Sequence, residues 1–275
     1  MMKNELNGME KSFARPIMAA FYIISIVLVV TYIVLYQYTP LAPSLNDVVM
    51  NSIITTGALL SALVSTFIFV QYHPEDHPRR IWLNIMIAGW FWFLGELIWQ
   101  IYAYFYDSVV PVPSLADACW VIGFVFFTLA FYHQYVLVTS VQKDTIRTYA
   151  IGAWLLSLLI PAVYLSITNS FSLDFLVEFY YPFADLAVGL AGLALVFIFR
   201  GGALMRPWLG LMVFGLSDLL YAWAEKTQMY TASAESGNLL SLLIDTTYLT
   251  AYLILAIGYL GQWMLLRYGL RIPRK

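Results

Sequence analysis

Charge is scarce in this sequence. Only 11% of its 275 residues are Asp, Glu, Lys or Arg, whereas soluble domains carry about 25%. That deficit excludes a disordered chain and a soluble globular enzyme. An excess of cations is also missing, because 14 Lys and Arg stand against 16 Asp and Glu, a net charge of -2. A nucleic-acid binder needs a basic surface, so nucleic acid is not among the expected partners. Cys119 is the only cysteine, which excludes a disulfide scaffold. No His-Glu-x-x-His run, nucleophile elbow or phosphate loop is found. No histidines are placed to ligate haem as a pair across helices, and no cofactor is expected.

Apolar residues are what the chain has in abundance: 61% are hydrophobic and 17% aromatic. A membrane-spanning helix needs about 20 mostly apolar residues. Eight such stretches occur, at 16–38, 48–72, 81–106, 114–140, 148–168, 176–200, 207–226 and 238–266. The breaks between them carry turn chemistry, such as Thr39-Pro40-Leu41-Ala42-Pro43, Val110-Pro111-Val112-Pro113 and Arg200-Gly201-Gly202. The runs are too long and continuous for a transmembrane barrel. The expected fold is therefore all-α, a polytopic membrane bundle of eight helices surrounded by lipid.

Cation placement orients this bundle. With eight spans, 13 of the 14 Lys and Arg fall on one side, and only Lys226 falls on the other. By the positive-inside rule both termini are expected in the cytoplasm, with the protein multi-pass in a plasma (inner) membrane. The first span has basic flanks like a signal peptide but is long and lacks a clear cleavage site, so it reads as a retained helix.

The two halves of the chain echo each other. Arg80-Ile81-Trp82-Leu83 opens the third stretch and Arg206-Pro207-Trp208-Leu209 the seventh. Leu94-Gly95-Glu96-Leu97-Ile98-Trp99 parallels Leu216-Ser217-Asp218-Leu219-Leu220-Tyr221, and Ala116-Asp117-Ala118-Cys119-Trp120 parallels Ile244-Asp245-Thr246-Thr247-Tyr248. The spacing from Trp to acid is 14 in one half and 10 in the other, about one helical turn apart. The expected organisation is a cytoplasmic segment at 1–15, a first four-helix repeat at 16–140, a second at 148–266 and a basic tail at 267–275. Four helices per repeat is an even number, so the repeats would have parallel topology.

Five acids lie inside the apolar stretches: Glu96, Asp117, Asp185, Asp218 and Asp245. At about 1.5 Å per residue they all fall roughly 6–17 Å from the external ends of their helices. Ionisable groups in a membrane are costly and mark functional interiors. Four of the acids have an aromatic residue three positions later, on the same helix face: Glu96–Trp99, Asp117–Trp120, Asp218–Tyr221 and Asp245–Tyr248. These residues, with Asp185, form a candidate external pocket. Carboxylates beside aromatic faces suit an organic cation, whereas carboxylates alone suit a metal ion or a shared proton. The alternative is that the acids hydrogen-bond neighbouring helices and lock the bundle, with the aromatics forming an interfacial belt and core.

Other polar residues point to packing or solvated turns. His73 and His77 flank Glu75 and Asp76 in a Pro-containing loop that reads as a solvated turn. His133 reads as an interfacial histidine and Cys119 as packing. Lys226 lies too near a helix end for a retinal-type lysine. Gly189-Leu190-Ala191-Gly192 suggests a close helix contact, and Gly201-Gly202 a turn.

The segment Pro113-Ser114-Leu115-Ala116-Asp117-Ala118-Cys119-Trp120-Val121-Ile122-Gly123-Phe124, with Gly95 to Trp99 before it and Tyr181-Pro182-Phe183-Ala184-Asp185-Leu186 after it, resembles one group of membrane modules. These are the multi-helix N-terminal sensor domains of bacterial signalling proteins, which precede diguanylate cyclase, phosphodiesterase or histidine kinase domains. Asp245 to Tyr248 is similar to their later acid-x-x-aromatic motif. The resemblance covers roughly 80–260 and implies an input module. The chain ends at Lys275 without a catalytic output domain, so the expectation is that such a module signals through a separate cytoplasmic protein, has another job, or is a piece of a longer sensor. The leading expectation is a non-enzymatic sensory or ligand-binding module. The alternatives are a small cation or cationic-solute transporter or channel and a lipid-acting membrane enzyme.

Overall fold

The computed structural model describes residues 2–105, 113–138, 148, 151, 152, 155, 159, 173–231 and 238–268. They form seven long helices: α1 (Met2–Tyr38), α2 (Pro43–Phe69), α3 (His77–Phe105), α4 (Leu115–Val138), α5 (Leu173–Phe199), α6 (Arg206–Lys226) and α7 (Leu239–Tyr268). All seven are long and apolar enough to cross a membrane. No strand occurs among the described residues. Seven of the eight expected stretches are thus helices, with bounds within about five residues of those read from the sequence except at the start of α1, which begins at Met2 instead of 16. The remaining stretch, 148–168, lies almost wholly outside the described residues, and Thr148, Ile151, Gly152, Leu155 and Leu159 within it are helical.

Local chemistry sets the helix ends. Pro43 opens α2 at a position where its missing N–H costs nothing. Arg200, Gly201 and Gly202 have φ of 50°, 119° and 84°, and this left-handed run turns the chain from α5 into α6. Glycine occupies two of the three positions because it carries no Cβ penalty there. The expected turn at Gly201-Gly202 is therefore present.

The packing order is circular. α2 lies on α3, α3 on α4, α4 on α5, α5 on α6, α6 on α7 and α7 back on α2, while α1 stands outside this ring against α7 and α2. Small residues bring the helices close, as packing in lipid requires. A Cβ on Gly192 would sit 2.8 Å from the Trp208 carbonyl oxygen, and one on Gly258 would sit 2.9 Å from the Arg206 Cβ. Gly189 and Gly192 thus form the close contact expected of them, with α6.

Aromatic residues fill the middle of the ring. Trp92 meets Phe124 edge-on at 4.6 Å between centroids and Phe214 at 4.7 Å. Further along the bundle, Trp82 of α3 meets Tyr259 of α7 at 5.3 Å, and Trp208 of α6 meets Phe131 of α4, also at 5.3 Å. Such pairs contribute roughly 0.5–1.5 kcal/mol each beyond their buried area. α1 buries Tyr32, Leu35 and Tyr36 against Met50, Ile53, Leu249 and Leu253. Its Ile23, Ile26, Val27 and Val30 point outward, as lipid-facing positions do.

Candidate functional site

Five helices bring their acids to one end of the bundle, where α3 ends, α4 begins and α6 gives way to α7. The acids meet different surroundings there.

Glu96 projects from α3 and is buried. Its Oε1 accepts hydrogen bonds from the hydroxyls of Tyr248 and Tyr252 on α7, the latter at 2.9 Å. The Tyr248 oxygen in turn accepts from the Trp92 indole N–H at 3.2 Å. These two tyrosines are four residues apart, so both face the same way from α7. Trp92 and Glu96 share a face of α3 for the same reason.

Asp185 of α5 and Asp218 of α6 are close neighbours across the contact between these two helices. The two helices can approach this closely because a Cβ on Gly215 would collide with the Asp185 carbonyl and with Gly189. Asp185 is only 1% exposed, and its Oδ1 has no hydrogen-bond partner. Asp218 lies within electrostatic reach of Glu96. The Tyr181 hydroxyl lies within reach of Asp117, Asp185 and Asp218 together, so it links these acids into one cluster.

Asp117 has a local task. Ser114 and Asp117 form a capping box at the start of α4. The Asp117 Oδ2 accepts from the Ser114 backbone N–H at 2.6 Å and hydroxyl at 2.7 Å, and Ser114 Oγ accepts from the Asp117 N–H at 3.4 Å. Its other oxygen accepts from the Tyr181 hydroxyl at 2.6 Å.

Asp245 is held between two phenols. Its Oδ2 accepts from Tyr32 of α1 and its Oδ1 from Tyr230, each at 3.0 Å. Beside it, the Tyr36 hydroxyl donates to the Asn238 carbonyl at 3.2 Å, and Ser241 Oγ accepts from the Thr231 N–H at 2.9 Å. Tyr230 lies outside the spanning helices, and burial together with the nearby Asp245 carboxylate pushes its phenol well up.

The aromatic residues expected beside the acids have mixed placements. Tyr248 serves Glu96 across the ring rather than its own neighbour Asp245. Trp120 lies edge-on to Tyr181, over Gly95, and its buried indole N–H has no partner. Tyr221 is 38% exposed and packs on Tyr230 with centroids 4.9 Å apart. Trp99 is half-buried. Gln100, on the Glu96 face by spacing, turns to α2, where its amide donates to Ser52 Oγ at 2.7 Å and its carbonyl accepts from Thr55 at 3.0 Å. Tyr32, Tyr230 and Tyr252 were not singled out from sequence; the only signal for them is a high tyrosine count, 20 in all.

The partners of Glu96, Asp185, Asp218 and Asp245 are phenols and one another, with no Lys or Arg among them. Among the described residues no group of three His, Cys, Asp or Glu side chains is arranged to hold a metal ion. In the loop between α2 and α3, Asp76 accepts from the His73 backbone N–H at 2.8 Å, an ordinary turn contact. Comparison with family models, with curated proteins and with solved structures gives no match.

Proposed function

We propose that this protein is a non-enzymatic sensory or ligand-binding membrane module, whose site for a cation, a cationic ligand or a proton lies at the acidic end of the bundle. The carrying observation is Asp185, buried with one carboxyl oxygen unpartnered, beside the half-buried Asp218 and with no Lys or Arg among its partners. Buried carboxyls in a membrane bundle need a compensating partner. A proton or a bound cation supplies one. The other expected site residues act around this centre: Tyr248 and Trp120 line it, and Asp117 joins it through Tyr181. Asp245, Tyr221 and Trp99 stand at its margin.

Placement of the cations in sequence supports an external position for this end, with cytoplasmic termini and a plasma (inner) membrane location. The two-repeat reading gains support from reciprocal contacts. The register that matches Trp82 with Trp208 and Asp117 with Asp245 also matches Phe131 with Tyr259. The contact Trp82–Tyr259 then has Trp208–Phe131 as its counterpart, at the same 5.3 Å. In the ring, α3 and α6 are opposite each other, as are α4 and α7. A ligand that favours one relative position of the halves shifts their balance, and a cytoplasmic signalling protein reads the result.

The same aromatic pairs favour sensing over conduction. They pack the bundle beyond the acids, where a transport path would need polar groups. The test is thermal unfolding of the purified protein across sodium, choline, tetramethylammonium and pH. The wild type responds to at least one of these, and Glu96→Gln/Asp218→Asn loses the response. Equal responses in both proteins overturn the reading.

A further inference from the structure

We infer that the end of the bundle opposite the acids holds a site for an anionic phospholipid headgroup, with its phosphate on Arg206 and its hydroxyl on Gln262. The site shares no residue with the acidic end and does not rest on the reading above.

Arg206 is the first residue of α6, and its side chain is laid against α7. A Cβ on Gly258 would sit 2.9 Å from the Arg206 Cβ, and one on Gly261 would sit 3.8 Å from its Nη1. The side chain therefore runs along α7 for about one turn, in a groove that two glycines leave open. Nη1 is buried there with no hydrogen-bond partner. Gln262 lies four residues after Gly258, on the same face of α7 as the two glycines. It is 9% exposed, and its Oε1 has no partner either. A bare charged donor and a bare acceptor thus meet the same face of α7, and each is costly to bury unmatched.

The bare groups define what fits. A guanidinium fork matches the paired oxygens of a phosphate. Met205 provides no side-chain cap to α6, so the positive end of that helix also favours an anion here. The acids with described side chains at this end are Glu75 and Asp76, both exposed in the loop before α3, where Asp76 already accepts from the His73 N–H. They stand against Arg79, Arg80, Arg200, Arg206 and Arg267. An acceptor such as Gln262 Oε1 needs a donor in return. A phosphate alone leaves it bare, whereas a phosphoglycerol headgroup brings hydroxyls on the same molecule.

Depth points to lipid as the source. α7 continues roughly 10 Å past Gly261 to Tyr268, where Trp263 and Tyr268 meet edge-on at 5.9 Å between centroids. Such aromatic residues mark the level of the headgroups, and basic pockets between helices at that level take anionic lipids. Leu204, just before α6, is 49% exposed and Leu266 of α7 is 38% exposed, so both segments present apolar surface to acyl chains.

The purified full chain in nanodiscs of phosphatidylcholine, with or without phosphatidylglycerol, tests the site by thermal unfolding and by native mass spectrometry of retained lipid. The wild type is expected to melt higher with phosphatidylglycerol and to retain it. Arg206→Gln is expected to lose that gain, with affinity about tenfold lower. Arg267→Gln removes the same charge from an exposed position at the same end and is expected to keep the gain. Gln262→Leu is expected to narrow the preference for phosphatidylglycerol over phosphatidylmethanol, an anionic lipid without a hydroxyl. Glycerol phosphate added to the protein in micelles separates the two sources of phosphate. No rise in the midpoint is expected from it, and a rise equal to that with phosphatidylglycerol overturns the lipid assignment. The inference is also overturned by a wild type with no preference for phosphatidylglycerol, a comparison that needs no variant. Equal losses in Arg206→Gln and Arg267→Gln overturn it too, because they mean diffuse attraction to a basic surface.

Discussion

Asp245 and Asp185 are the same side chain on two helices of one ring, and their surroundings differ at every oxygen. Asp245 has a phenol on each oxygen, one from α1 and one from the segment after α6. Asp185 has another acid as its neighbour and an Oδ1 with no hydrogen-bond partner. The first arrangement ties three parts of the chain together and gives each carboxyl oxygen a donor. The second holds no such tie and leaves one oxygen open. A carboxyl inside a membrane bundle is thus a clamp where its neighbours satisfy it, and it keeps an unmatched acceptor where they do not. Asp117, with its capping box and Tyr181, belongs with Asp245, while Glu96 borders the Asp185–Asp218 pair.

Substitutions can break this contrast. Asp245→Ala leaves two phenol donors without acceptors, the buried Tyr32 and the half-buried Tyr230, at about 1–3 kcal/mol each, so roughly 3 kcal/mol of stability is expected to go. A lowered midpoint in thermal or denaturant unfolding checks it, and an unchanged midpoint would show that the clamp carries no strength. Tyr32→Phe removes one of the two donors and is expected to cost about 1 kcal/mol. It also loosens α1, which packs mainly on α7 and α2, so proteolysis or cysteine labelling along α1 should quicken. Asp185→Asn, by contrast, keeps the size and shape of a side chain whose Oδ1 accepts no hydrogen bond. Its effect on stability is expected to stay within about 0.5 kcal/mol.

The smallest effect is a pH dependence at the clamp. Tyr230 has its phenol raised in the folded protein by burial and by Asp245. An unfolded tyrosine ionises near pH 10, so the stabilisation is complete below that value. Above it the unfolded state loses protons that the folded state keeps, and stability falls as pH rises. Tyr230→Phe should flatten that decline while leaving the neutral-pH behaviour of Asp185 untouched.

Much of this architecture was legible in the sequence because lipid imposes a simple rule. Long apolar runs bounded by Pro and Gly became helices with nearly the expected ends. The gathering of Glu96, Asp117, Asp185, Asp218 and Asp245 at one end followed from their distance to the loops alone. The hydrogen-bond partners were not legible. A three-residue spacing places Tyr248 beside Asp245 on α7, but a hydroxyl on a tyrosine reaches well away from its own backbone, and its acceptor proved to be Glu96 on α3. Tyr32 lies 213 positions from Asp245, a pairing that no local pattern encodes. The Ser114-x-x-Asp117 capping box is a local signal and was present in the sequence. It is masked there by the aromatic residue at Trp120, which draws attention to the wrong face of the acid.

The most direct measurement crosses the two regions with two readouts. Thermal unfolding of Asp245→Asn and Asp185→Asn is followed in parallel across sodium, choline, tetramethylammonium and pH. The account predicts that Asp245→Asn melts lower than wild type but keeps the wild-type response to these agents. Asp185→Asn is predicted to melt near wild type and to lose that response. Loss of the response in Asp245→Asn with its retention in Asp185→Asn, or equal responses in both, would contradict the division between clamp and site.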